Sequence, residues 1–123
     1  MGKKILVIDD ERHIRMLYQE ELQNDGYQVA MSDGSEPVVE LIGREKPDLI
    51  LLDIKLGPAI SGLDLLQTLR GPYPDLPVIL STAYDSFQYD LKSIAADDYV
   101  VKSVDLTELK EKVSDTLKKK AAG

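Results

Sequence analysis

A chain of 123 residues fits a single domain and can bury about two-thirds of the surface its unfolded form exposes. It has no cysteine, which excludes disulfide staples and thiolate metal sites. Its formal net charge of −7 opposes contact with a phosphate backbone, so direct nucleic-acid binding by this domain is not expected.

Lys3-Lys4 lead into a short apolar run, Ile5 to Ile8, that ends at Asp9-Asp10. Four apolar residues are too few for the core of a signal peptide, and no stretch is long enough to span a bilayer. A cytoplasmic domain without a membrane contact is the expectation, and the run itself reads as a first strand. Residues 11–25 then change period: Ile14, Leu17, Tyr18 and Leu22 share one helical face, with Asp10 expected as N-cap and Gly26 as the C′ stop. Tyr27 to Met31 reads as the second strand and Asp33-Gly34 as a turn. Ser35 is expected to cap a second helix, with Pro37 in its first turn and Val38, Leu41 and Ile42 inward. Lys46-Pro47 ends that helix.

The stretch DLILLD at 48–53 follows. Leu49 to Leu52, bounded by charge, reads as a strand buried on both faces. A loop punctuated by Gly57, Pro58 and Gly62 leads to a third helix, Leu63 to Arg70, with Leu65, Leu66 and Leu69 inward. Val78 to Ser81 is the fourth strand, a short helix is expected within 85–95, and Asp98 to Val101 is the fifth strand. Asp105, with Glu108 three residues on as in a capping box, opens a final helix striped by Leu106, Leu109, Val113 and Leu117. Lys118 to Lys120 favour the negative end of its dipole. The chain offers no repeat, low-complexity segment or linker, so residues 1–123 read as one domain, and the tail KKKAAG reads either as a natural end or as the cut edge of a longer protein. Five strands alternating with five helices predict an α/β fold, a doubly wound parallel sheet covered on both faces.

The carboxyl ends of those strands carry Asp9-Asp10, Met31-Ser32, Asp53, Ser81-Thr82 and Lys102. Open α/β sheets place their chemistry at this edge, where the strand order reverses between the first and third strands. Two carboxylates about 5 Å apart repel by roughly 3 kcal/mol at an effective dielectric of 20, so Asp9, Asp10 and Asp53 together need a compensating charge, or one of them must hold its proton. A hard divalent cation, Mg²⁺ or Mn²⁺, answers that need. Such a site suits phosphoryl transfer with Asp53 as acceptor, Lys102 pairing one phosphoryl oxygen and Thr82 bonding another. Plainer readings exist for each residue. Asp9-Asp10 can serve as a helix cap, Thr82 can satisfy backbone at a strand end, Tyr99 can be core, and Lys102 can be a solvated charge. His13 lies on the exposed face of the first helix and is read as neither ligand nor phosphorylation site.

Four motifs, VIDDE at 7–11, LILLD at 49–53, VILSTAY at 78–84 and DDYVVK at 97–102, resemble the receiver domain of two-component response regulators, in order and at roughly its spacing over nearly the whole chain. The resemblance implies a flavodoxin-like strand order 2-1-3-4-5. It makes Asp53 the phosphoacceptor, supplied by a phosphohistidine on a sensor histidine kinase or histidine phosphotransfer domain. Asp10 resembles the direct Mg²⁺ ligand, Asp9 a ligand acting largely through water, and the backbone carbonyl of Lys55 the remaining protein ligand. Lys102 matches the family lysine, and Thr82 and Tyr99 match the switch hydroxyl and switch aromatic that move inward together. The readout face for a downstream protein target is then the fourth helix, fifth strand and fifth helix, roughly residues 85–120. Such a domain is a switch rather than an enzyme, catalysing only its own phosphorylation and dephosphorylation.

Three positions depart from the family pattern. Ser103 stands where proline usually follows the lysine, leaving the Lys102–Ser103 bond either trans with a shifted loop or cis. The loop after Asp53 is one residue longer, with Ser61 in place of an acid. The segment from Thr82 to Tyr99 is about two residues short. A receiver that only binds partners is therefore one rival reading. An aspartate-nucleophile phosphatase of the haloacid dehalogenase type is another, but it wants Asp-x-Asp after the first strand. A flavin or nucleotide domain would need a phosphate-cradling loop where DDERH stands.

Overall fold

The computed structural model describes residues 2–56, 61–82, 96–102 and 105–122, the side chains of 82 and 120–122 excepted. Strands β1 (Lys4–Ile8), β2 (Gln28–Ser32), β3 (Leu49–Asp53), β4 (Val78–Thr82) and β5 (Asp98–Val101) form one sheet in the order β2-β1-β3-β4-β5, every pairing parallel. Helices α1 (Arg12–Asn24), α2 (Val38–Glu45), α3 (Gly62–Arg70) and α4 (Thr107–Ala122) are the four among the described residues. The helix expected within 85–95 lies outside them, as does the Lys102–Ser103 bond.

Period-two alternation divides the core. Leu6, Ile8, Ile50, Leu52 and Leu80 point to the face covered by α2 and α3, where Leu41, Ile42, Leu66 and Leu69 meet them. Ile5, Val7, Leu49, Leu51 and Ile79 point to the other face, against Tyr18 and Leu22 of α1 and Leu109, Val113 and Leu117 of α4. Every residue of β3 is buried, as a central parallel strand requires. Each such Leu or Ile contributes about 1.5–3 kcal/mol by leaving water. Among the described residues no helix is long and apolar enough to cross a membrane.

The helix ends correct several expectations. Asp10 does not cap α1: Glu11 is the N-cap residue and makes no side-chain cap bond. Asp9 Oδ1 takes the Glu11 N–H instead, at 2.9 Å. Ser35 does not cap α2 either. Pro37 occupies the N-cap, because Ser35 is drawn back to Asp33, whose Oδ1 accepts from Ser35 Oγ at 2.6 Å and Ser35 N at 2.9 Å. β2 is shifted one residue onward, since Tyr27 N still bonds Leu22 O in the turn that closes α1. Leu65 is half-buried while Leu66 and Leu69 are sealed. Asp105 Oδ1 receives Thr107 N at 3.0 Å, as expected of the cap, and Glu108 pairs with Lys112 at 3.4 Å. Gly26 stops α1 at φ 94°, and Lys46 ends α2 at φ 49°.

At the amino edge of the sheet, Arg70 closes α3 onto the strands. Its guanidinium donates to Leu76 O at 2.6 Å and to Asp97 Oδ2 at 3.2 Å, and Asp97 Oδ2 also accepts Val78 N at 2.8 Å. The starts of β4 and β5 are thereby held in one register, which fixes their carboxyl ends at the opposite edge.

Candidate functional site

Register decides what meets at the carboxyl edge. Ile8 pairs with Leu52, so Asp9 leaves β1 beside Asp53, and Asp53 pairs with Ser81 at the end of β4. Carboxylate oxygens of Asp9, Asp10 and Asp53 all lie within 4.8 Å of one another. Asp9 and Asp53 are buried, while Asp10 is exposed at the rim. The three acids singled out from sequence are thus brought together.

Lys102, just past β5, enters the same cluster. Its Nζ stands 2.9 Å from Asp9 Oδ2, 3.2 Å from Asp53 Oδ2 and 3.7 Å from Glu11 Oε1. Burial alone would lower the Lys102 pKa. The hydrogen bond to Asp9 and the charges of Asp53 and Asp9 outweigh it and hold the pKa above its ordinary value. The Asp53 pKa is also raised, which for a carboxyl disfavours the charged form: burial first, then the Asp9 charge, raise it to about 6 against the pull of Lys102. One ammonium against three carboxylates leaves two negative charges unbalanced. A divalent ion with oxygen preference matches that deficit, and an exposed Asp10 beside two fixed acids leaves water room to complete its shell. The donor set therefore fits Mg²⁺.

Asp9 is the anchored member. Its N–H donates to Ser32 O at 3.0 Å, its carbonyl accepts from Arg15 Nη1 at 2.7 Å, Oδ1 accepts from Glu11 N, and Oδ2 faces Lys102. Asp53 Oδ1 accepts Lys55 N at 3.3 Å, so the turn after β3 folds back on its own acid. Lys55 bridges to Ser61, whose Oγ accepts Leu63 N at 3.2 Å and caps α3. Ser61, the residue in place of an acid, has this structural use. Gly62 N then bonds Ile54 O at 2.6 Å, bringing α3 against the backbone of Asp53.

Thr82 is the last residue of β4, paired with Val101, and its side chain lies outside the described residues. Tyr99 lies on β5, half-buried against the cluster that holds Leu66 and Leu80. His13 is exposed and, among the described residues, pairs with Glu11 at 3.3 Å. Glu11, Arg15 and Gly62 were not singled out as site residues. Arg15 and Glu11 share a helical face at spacing four, the one sequence signal that places both beside Asp9. Under the acids, the buried Tyr18 phenol is turned toward Ser81, and burial raises its pKa.

The family model for the response regulator receiver domain matches residues 5–114. Among curated relatives, response regulator MprA of Mycobacterium tuberculosis is 34% identical over 111 residues, 89% of this chain and 48% of MprA, so the chain spans about half the length of that relative. Sporulation initiation phosphotransferase F of Bacillus subtilis is 30% identical over 119 residues, 95% of each chain. Among solved structures, response regulator TrrA of Thermotoga maritima in complex with Mg²⁺–BeF superposes with a TM-score of 0.84 at 45% identity, covering 93% of this chain and 98% of TrrA. TrrA bound to histidine kinase ThkA gives 0.78 at 44% identity, covering 94% and 98%. The sheet order, the acid cluster with its lysine and these matches agree, and the chain belongs to the response regulator receiver domain family, the phosphorylation switch of two-component signalling.

Proposed function

We propose that residues 1–123 form one cytoplasmic receiver domain in which Asp53 accepts a phosphoryl group from a phosphohistidine of a sensor kinase or phosphotransfer domain. The approach of Asp9, Asp10 and Asp53 within 4.8 Å, with Lys102 on two of them, is the observation that carries this reading. Asp10, Asp53 and the carbonyl of Lys55 would hold Mg²⁺ or Mn²⁺ directly, and Asp9 largely through water. When bound, the ion supplies charge neutralisation to phosphoryl oxygens.

The residues of the chain do the rest. Lys102 and burial keep Asp53 a carboxylate of raised basicity but ionised at neutral pH, the form that can attack. A carboxylate oxygen of Asp53 forms the new bond to phosphorus as the phosphorus–nitrogen bond breaks, the electron pair returns to the donor imidazole nitrogen, and that nitrogen takes its proton from solvent water. Lys102 can leave Asp53 Oδ2 for a phosphoryl oxygen while staying on Asp9, and Thr82 moves up to another. Tyr99 follows inward, altering the face formed by β5 and α4 for a downstream protein. The relatives support the partner class: TrrA is found in complex with a histidine kinase, and one relative is a phosphotransferase.

Incubation with acetyl phosphate and Mg²⁺ tests this by intact mass. The expected result is a gain of one PO₃ unit that Asp53→Asn lacks. An unmodified wild-type chain would overturn it in favour of a module that only binds partners. Steady turnover of phosphate esters would point to the phosphatase instead.

A further inference from the structure

We infer that Lys112 is a positioning residue for Tyr99, its ammonium seated on the ring so as to hold the aromatic side chain in its resting place. The inference rests on the proposed role of Tyr99 as the switch aromatic. β5 is an edge strand, and Lys112 reaches across that edge from α4. Its Nζ donates to Tyr99 O at 2.6 Å, lies 3.3 Å from Asp98 Oδ1 and 3.4 Å from Glu108 Oε1, and stands 4.9 Å from the centre of the Tyr99 ring. Asp98 Oδ1 also accepts Tyr99 N at 2.8 Å, so carboxylate and ammonium grip the same stretch of strand.

These partners differ in what they depend on. Tyr99 O and Asp98 belong to the paired strand, and Glu108 stands one turn away on the same helix. None of the three requires a particular Tyr99 rotamer. The ring contact does. Rotation of the ring toward the core forfeits the ammonium above its face and leaves the oxygen contacts intact. The seat therefore favours the resting rotamer, by about 2- to 5-fold for a partly exposed cation on a ring. By linkage, whatever the phosphoryl group does to Tyr99, the Tyr99 position returns to phosphoryl affinity.

The test measures the affinity of the Mg²⁺-loaded domain for beryllofluoride, a phosphoryl mimic, in Lys112→Met, Lys112→Gln and Lys112→Arg. Glutamine still offers a donor to Tyr99 O but puts no charge over the ring. Expected is binding about 2- to 5-fold tighter in the Met and Gln variants and unchanged in Arg. Simple charge loss predicts the opposite sign, because removing a cation weakens anion binding. Unchanged or weaker binding in both neutral variants overturns the inference, as does equal tightening in Arg. A wild-type domain that ignores beryllofluoride overturns the parent reading as well. Should Met reduce folding, the ¹³C-labelled Tyr99 ring resonance in the Gln variant, assigned with Tyr99→Phe, must move without ligand; a fixed resonance contradicts the seat.

Discussion

Gly62→Ala is expected to destabilise the domain by about 3 kcal/mol or more and to remove phosphoryl acceptance, although alanine is the better helix former. The reason is backbone, not propensity. A Cβ at 62 would overlap the carbonyl oxygen of Asp53 and come within 2.8 Å of its carbonyl carbon and 2.9 Å of Ile54 Cα. No flexible side chain is there to give way. Either α3 withdraws, breaking the Gly62 N to Ile54 O bond, or the end of β3 shifts and carries Asp53 with it. Urea unfolding and the acetyl phosphate assay read the two consequences separately. A variant with wild-type stability and wild-type phosphorylation would show that this close approach matters to neither.

Lys102→Met is expected to cost about 3 kcal/mol at neutral pH, because it strands two buried carboxylates without their counter-charge. The cost should depend on pH with a definite sign. Asp53 in the folded domain titrates near 6, above its ordinary 3.8, so the folded state holds its proton more tightly than the unfolded chain. Its contribution is complete below pH 4 and is lost as pH rises through 6, by up to about 3 kcal/mol. Without Lys102 the Asp53 pKa rises further. The gap between variant and wild type should narrow from pH 7 to pH 5, as Asp53 takes up a proton. Mg²⁺ should also restore more stability to the variant than to wild type, since it replaces the missing charge. Equal stability of the two proteins at pH 7 would mean that Lys102 does not balance the acids.

The sheet was legible because its signals are redundant. Leu49 to Leu52 and Ile5 to Ile8 are short apolar runs bounded by charge, the pattern of a doubly covered parallel strand, and β5 falls on 98–101 as read. The meeting of Asp9, Asp10 and Asp53 followed from one rule, that strand ends share an edge, with no side-chain detail required. Capping was less legible. Asp10 and Ser35 are good cap residues, and each gives way to a neighbour. Asp9 reaches the Glu11 amide, and Asp33 holds Ser35. The part of Lys102 was only half visible. Sequence assigned it to a phosphoryl oxygen, whereas the folded chain already uses it to neutralise two acids. Gly62 left no sequence signal beyond loop punctuation, because close approach of α3 to β3 is a property of packing, not of local pattern.

The central claim, that Asp9, Asp10 and Asp53 make one divalent site, is tested most directly by titrating the domain with Mg²⁺ calorimetrically between pH 5 and pH 8. Saturable one-site binding is predicted, level above pH 6 and weakening by up to about tenfold per pH unit below it as protons compete for Asp53, and greatly reduced in Asp10→Asn. Binding that ignores pH and survives Asp10→Asn, or no saturable binding at all, would contradict it.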